Sequence, residues 1–151
     1  MAIQSGNRLT PTRLNTRGVR ARRAAAQTLT TGTLTAISWD TEDWDNASMF
    51  SGSSTSITLP VAGLWGVLAY AGFTSNATGQ RRLLLEEGSS GVYPTIDSRP
   101  AVSGDATHVT MSGSYVAATA GVTIRIRAHQ TSGGNLDVLA GAYFTAWLIE
   151  S

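Results

Sequence analysis

The residues able to do chemistry fall into three groups. Asp40, Glu42, Asp43 and Asp45 crowd four carboxylates into six positions, and hard cations such as Ca²⁺ take several carboxylate oxygens. The run lacks the Asp-x-Asp-x-Asp-Gly spacing of a calcium loop, so the expected reading is a solvated loop, or aspartates that cap turns and pair with arginines. His108 and His129 are the only histidines, and alternation puts both on the wet faces of strands. There is no cysteine, which removes thiolate zinc sites, iron–sulfur clusters and thiol nucleophiles. No Gly-x-Ser-x-Gly elbow occurs. The glycine-rich stretches 88–91 and 132–134 lack the strand–loop–helix setting that cradles phosphate. No catalytic set and no cofactor are expected.

Arginine is the third group, and all 11 basic residues are arginine. The net charge of +1 hides an uneven distribution. Residues 1–39 carry six arginines and no acid, whereas residues 40–151 carry five arginines and all ten acids. Residues 1–27 therefore read as a basic arm with few large apolar anchors: Ile3, Leu9, Leu14 and Val19. Thr10-Pro11 is a suitable N-cap and first helical position, so a short helix is expected there, through Arg13 to Asn15. The arm's candidate partner-binding residues are Leu9, Arg13, Leu14, Arg17, Arg20, Arg22 and Arg23.

The elements that must position these groups are strands. Ala, Thr, Ser and Gly are abundant and turn clusters recur, as in Ser51-Gly52-Ser53-Ser54 and Ser132-Gly133-Gly134-Asn135. The expected domain is all-β over 28–151, with strands at 33–39, 56–59, 63–73, 80–87, 92–97, 107–117, 121–130 and 140–149. Residues 107–116 and 122–129 alternate apolar with polar, giving each strand one dry and one wet face. Two strands do not alternate: 64–73 (LWGVLAYAGF) and 143–149 (YFTAWLI) are apolar on both faces. Trp65, Tyr70, Phe73, Tyr143, Phe144 and Trp147 are thus candidates for core or for an interface between copies, since a sandwich covers only one face of each strand. No stretch is apolar for the 18 residues a membrane span needs, and the first residues lack a secretory h-region.

Several segments resemble a known family. Ile57-Thr58-Leu59-Pro60-Val61-Ala62-Gly63-Leu64-Trp65 resembles the strand–Pro-x-x-Gly-x-aromatic segment of C1q/TNF-like jelly rolls. Tyr143-Phe144-Thr145-Ala146-Trp147-Leu148 is similar to that family's C-terminal strand. The resemblance is nearest to C1q-like domains of bacteriophage virion proteins, through residues 39–45, Asn76-Ala77-Thr78-Gly79-Gln80-Arg81-Arg82-Leu83 and Gln130-Thr131-Ser132-Gly133-Gly134-Asn135-Leu136. Residues 5–15 resemble the start of many phage head-surface and tail proteins. Ala120-Gly121-Val122 departs from the Gly-Asp often found before the penultimate strand.

The resemblance implies a two-sheet antiparallel jelly roll assembling as a homotrimer. On this reading the chain is a non-enzymatic virion structural protein. Its arm docks on an acidic or grooved surface of a major capsid or tail protein, at the capsid exterior or tail tip, after synthesis in the host cytoplasm. The alternative is a receptor-binding module for host-surface glycan or protein, with Trp44, Phe50 and Tyr93 as aromatic platforms in distal loops. The arm has no aromatic residue for base stacking, which argues against nucleic acid. No membrane partner is expected.

Overall fold

A computed structural model describes residues 17–151. The expected helix near Thr10-Pro11, with Leu9, Arg13 and Leu14, lies outside the described residues. Among those described, every regular element is a strand, and they divide into two antiparallel sheets.

The larger sheet contains β1 (Gly18–Arg22), β2 (Gln27–Leu29), β4 (Thr41–Asp45), β6 (Gly63–Phe73), β9 (Thr107–Ala117), β11 (Leu136–Val138) and β12 (Tyr143–Glu150). At its centre β12 pairs with β1 on one side and β6 on the other, and β6 pairs with β9 along its whole length. The smaller sheet contains β3 (Thr35–Ala36), β5 (Ser56–Leu59), β7 (Gln80–Glu87), β8 (Thr95–Pro100) and β10 (Val122–Gln130). Here β10 lies between β7 and the short strands β3 and β5.

The core fills the space between the sheets. Trp65, Val67, Ala69, Ala71 and Phe73 of β6, Phe144 and Ala146 of β12, and Val109 and Met111 of β9 meet Leu83 and Leu85 of β7 and Ile124 and Ile126 of β10. Trp39, fully buried, packs against Phe144 with ring centroids 6.1 Å apart. Each of these large side chains contributes about 1.5–3 kcal/mol by leaving water. Gly63 begins β6 at φ 145°, with the Glu150 carbonyl where a Cβ would stand, so the Pro60-x-x-Gly63 segment tolerates only glycine there.

Two of the segments that carried the phage resemblance prove to be buried polar clamps. Arg81, fully buried, donates to the carbonyls of Asn76, Thr78 and Gln80 and ties down the preceding turn. Gln130, also fully buried, donates to the carbonyls of Leu29 and Gly134 and accepts from the Ser132 amide. Both satisfy backbone groups that a turn otherwise leaves to water.

The structure corrects the sequence reading in several places. Residues 18–22 belong to the folded body, not to an arm: Val19 and Ala21 are fully buried and β1 is hydrogen-bonded on both edges. The folded body therefore includes residues from Gly18, within the stretch 1–27 expected as an arm. The body from Gly18 onward holds eight arginines against ten acids, and only Arg8, Arg13 and Arg17 precede it. Residues 41–45, expected as a loop, form strand β4. Strand β8 begins at Thr95, three residues beyond the expected start, and β12 begins at Tyr143. Of the strand expected at 33–39, only Thr35–Ala36 pairs with β10, and Trp39 forms an isolated bridge to Ser54.

Candidate functional site: the outer face of the larger sheet

Strand pairing decides which side chains share the solvent side of the larger sheet. Tyr143 stands opposite Tyr70, Thr145 opposite Leu68 and Trp147 opposite Gly66. Across the next ladder Tyr70 faces Thr110, Gly72 faces His108 and Leu64 faces Val116. On the other side Arg20 stands opposite Thr145 and Arg22 opposite Tyr143. These residues point away from the core, because their neighbours along each strand fill it.

They form a continuous stack across four strands. The Arg20 guanidinium sits 4.1 Å from the centroid of Tyr143. Tyr143 stacks on Tyr70 at 5.4 Å, and Tyr70 stacks on His108 at 5.7 Å. The Tyr70 hydroxyl lies 2.8 Å from His108 Nδ1, within hydrogen-bond distance. At the far edge, the β1–β4 pairing slips between Arg20 and Ala21, leaving Asp43 as the extra residue. Its carboxylate reaches both Arg20, at 3.2 Å, and Arg22, at 2.9 Å. A cation held against an aromatic face adds about 0.5–1 kcal/mol at such a site. The two exposed ion pairs add less than 1 kcal/mol each.

Glycines let the rings lie flat. A Cβ on Gly66 would collide with the Trp147 indole. One on Gly18 would stand 2.9 Å from the Trp44 ring, and one on Gly72 would stand 3.0 Å from the His108 ring. Three aromatic side chains thus cover three cross-strand glycines, which keeps a large apolar area low on the sheet. Along one end of this sheet Val116 and Ile149 are 68% and 54% exposed, and Trp44 at the β4 edge is 43% exposed.

The six aromatic candidates separate cleanly. Trp65, Phe73 and Phe144 are fully buried in the chain's own core. Tyr70, Tyr143 and Trp147 are half-buried on the outer face. Leu68 and Leu64 accompany them, half-buried. The sequence reading did not select Arg20 as a partner of Tyr143, nor His108 as a partner of Tyr70. A period-two match between β1, β9 and β12 carries the signal, but only the register makes it specific.

Three of the four carboxylates of the acidic run are engaged by the protein itself, and Glu42 is exposed on β4. Asp45 accepts from the amides of Ala47, Met49 and Phe50 and so caps the turn that follows β4. Asp40 accepts from the Ala24 amide and the Thr41 hydroxyl. These bonds and nearby Arg23 hold its carboxyl below the usual carboxylate range, against a desolvation that acts in the opposite sense. With Asp43 between two arginines, these carboxylates do not fit a calcium ion. Among the described residues no three acidic or histidine side chains converge on one point.

The remaining candidates disperse. Arg17 is exposed, and its carbonyl accepts from the Leu148 amide. Arg22 lies in β1 and is bound to Asp43, while Arg23 donates to the carbonyls of Ser38 and Ala26. Arg20, Arg22 and Arg23 thus serve the folded body. His129 is on the smaller sheet, so it makes no pair with His108. Phe50, expected as an exposed platform, is 7% exposed within the core, because Asp45 draws its amide inward. Tyr93 is half-buried.

No family model and no curated protein matches the sequence. Solved structures match the fold. Murine APRIL at pH 5.0 superposes with a TM-score of 0.68 at 8% identity, over 89% of this chain and 100% of that one. The Eiger TNF of S. frugiperda gives 0.60 at 9%, over 89% and 92%. The globular domain of zebrafish complement 1qA gives 0.58 at 18%, over 88% and 97%. The architecture is that of the TNF/C1q jelly roll, reached here by a sequence with little residue-level likeness to those proteins.

Proposed function

We propose that this chain is a non-enzymatic assembly module that trimerises through the outer face of its larger sheet. In this reading it decorates the surface of a bacteriophage particle, on the capsid or at the tail tip. One observation carries the assembly: the central strands β6 and β12 are apolar on both faces, and nothing within the described chain covers the second one. Half-buried Leu64, Leu68, Tyr70, Tyr143 and Trp147 form a low, ring-lined surface of the kind that oligomer cores use. A threefold arrangement is supported by the shared jelly-roll architecture. The histidines stand on separate sheets.

The phage assignment rests on the segment resemblances, and attachment is assigned to residues 1–16 with Arg17. Three arms on one trimer would engage together, so modest single-arm affinity suffices. The test is a two-part binding experiment. Sedimentation of the whole chain should give a trimer, and particles lacking the protein should take it up. Removing residues 1–16 should leave the trimer and abolish uptake. Removing 1–27 would also delete β1 and should unfold the sheet edge. A monomer in the first measurement overturns the assembly reading. Binding to host cells alone, with no uptake by particles, overturns decoration in favour of receptor recognition.

A further inference from the structure

The opposite side of the molecule carries a site of different character. Where β10 pairs with β7, His129 stands opposite Arg82, Arg127 opposite Leu84 and Arg125 opposite Glu86. These side chains share the solvent face of the smaller sheet, since Leu83, Leu85, Ile124 and Ile126 between them fill the core. The turn before β3 rises beside them, and together Gly32, Leu34, Arg82, Leu84 and His129 line an open groove of about 180 Å³.

We propose that this groove binds a small carboxylate ligand, its apolar body between Leu34 and Leu84 and its oxygens held by Arg82 and His129. The charges on this face favour an anion. Among the described residues it presents Arg82, Arg125 and Arg127 against one carboxylate, Glu86, which already accepts from Arg125 at 2.5 Å and Arg127 at 3.3 Å. Arg127 spends a further donor on the Leu34 carbonyl. Among the described residues Arg82 has no carboxylate partner: it is exposed, and one nitrogen donates to the Gln80 side chain at 2.7 Å. A guanidinium has five donors in a fixed fork, so Arg82 retains enough for a bidentate carboxylate. His129 adds an imidazole at the wall. Leu84 forms a dry floor, being 6% exposed. A fully hydrated anion would gain nothing from that floor, whereas an alkyl or aryl carboxylate would bury its body there.

The experiment is a titration of the intact protein with hexanoate, hexanamide and inorganic phosphate, followed by amide chemical shifts. Hexanoate should move the amides of Gly32, Leu34, Leu84 and His129, and hexanamide should not. Arg82→Gln, at an exposed position, should weaken hexanoate about tenfold or more, the loss of a charge-assisted bidentate contact. Leu34→Glu should abolish binding by repulsion. Arg99→Gln, exposed and paired with Asp97, should bind as the parent does. Equal binding of hexanoate and hexanamide, no shifts at these amides, or equal losses in the Arg82 and Arg99 variants would overturn the proposal. Phosphate binding as tightly as hexanoate would overturn the role of the apolar walls.

Discussion

The two sheets turn opposite kinds of surface outward. The larger sheet shows stacked rings over glycine, with the arginines of β1 beside them. The smaller sheet shows an arginine network closed around Glu86, which is 2% exposed. The two inner faces share one apolar core, with buried Arg81 and Gln130 on the smaller sheet's side, and that core does not explain the difference. Charges that are paired and hydrogen-bonded finish a surface against water, whereas half-buried Tyr, Trp and Leu leave apolar area that burial would still reward. On the proposed reading the larger sheet's outer face is the one a second copy covers, and that contrast can be broken from either side.

The largest effect is expected from Leu68→Glu, which sets a charge at the centre of the ring-lined face. Sedimentation should change from trimer to monomer while circular dichroism keeps the β signature. A variant that still sediments as a trimer would place the interface elsewhere.

Next is Glu86→Gln on the other face. Removing this carboxylate leaves Arg125 and Arg127 unpaired in a partly buried site, at a cost of about 2–3 kcal/mol in thermal unfolding. The Arg125 hydrogen bond is the main cause that holds the Glu86 carboxyl below its usual range, aided by the Gly91 amide and by the Arg125 and Arg127 charges, against desolvation. Its stabilisation is therefore complete above the ordinary glutamate range and is lost as pH falls through the depressed folded value. The variant should lose that part of the acid dependence, with its association unchanged.

Gly66→Ala comes third. The added Cβ must displace the Trp147 ring, with an expected loss of about 1–3 kcal/mol. Tryptophan emission should shift and the trimer should loosen. Unchanged emission would mean that the ring does not rest on this glycine.

The smallest effect concerns Tyr115, where burial and a hydrogen bond to Glu87 push the phenol up to about 12. The folded state then resists an ionisation that the unfolded chain undergoes near 10, so stability should fall as pH rises from about 10 to 12. Tyr115→Phe should flatten that slope in alkaline denaturation, with little change at neutral pH.

Much of the core was legible from residue order. Val109, Met111, Ile124 and Ile126 alternate with polar neighbours, and each is buried as that pattern requires. The two-faced strands were equally visible, whereas turn capping was legible only as one option for the aspartates of 40–45, and the structure assigns it to Asp45. Strand β1 was misread although Gly18-Val19-Arg20-Ala21-Arg22 alternates perfectly, because its charge resembled an arm. Arginines that pair with Asp43 and cover Tyr143 look, in sequence, like arginines seeking a partner outside. Strands β2 and β11 are three residues each and carry too little pattern to stand out.

What the sequence determined by itself is the material of each face. Period-two placement of apolar side chains commits a strand to a dry side, and a strand apolar at every position commits it to two. What the tertiary structure alone decided is adjacency. Pairing register brought Arg20 onto Tyr143, Tyr70 onto His108, and His129 beside Arg82, from strands up to 123 positions apart in numbering (Arg20 to Tyr143). The physical reason is that backbone hydrogen bonds fix register across a ladder, whereas side-chain type along one strand fixes only which way it faces.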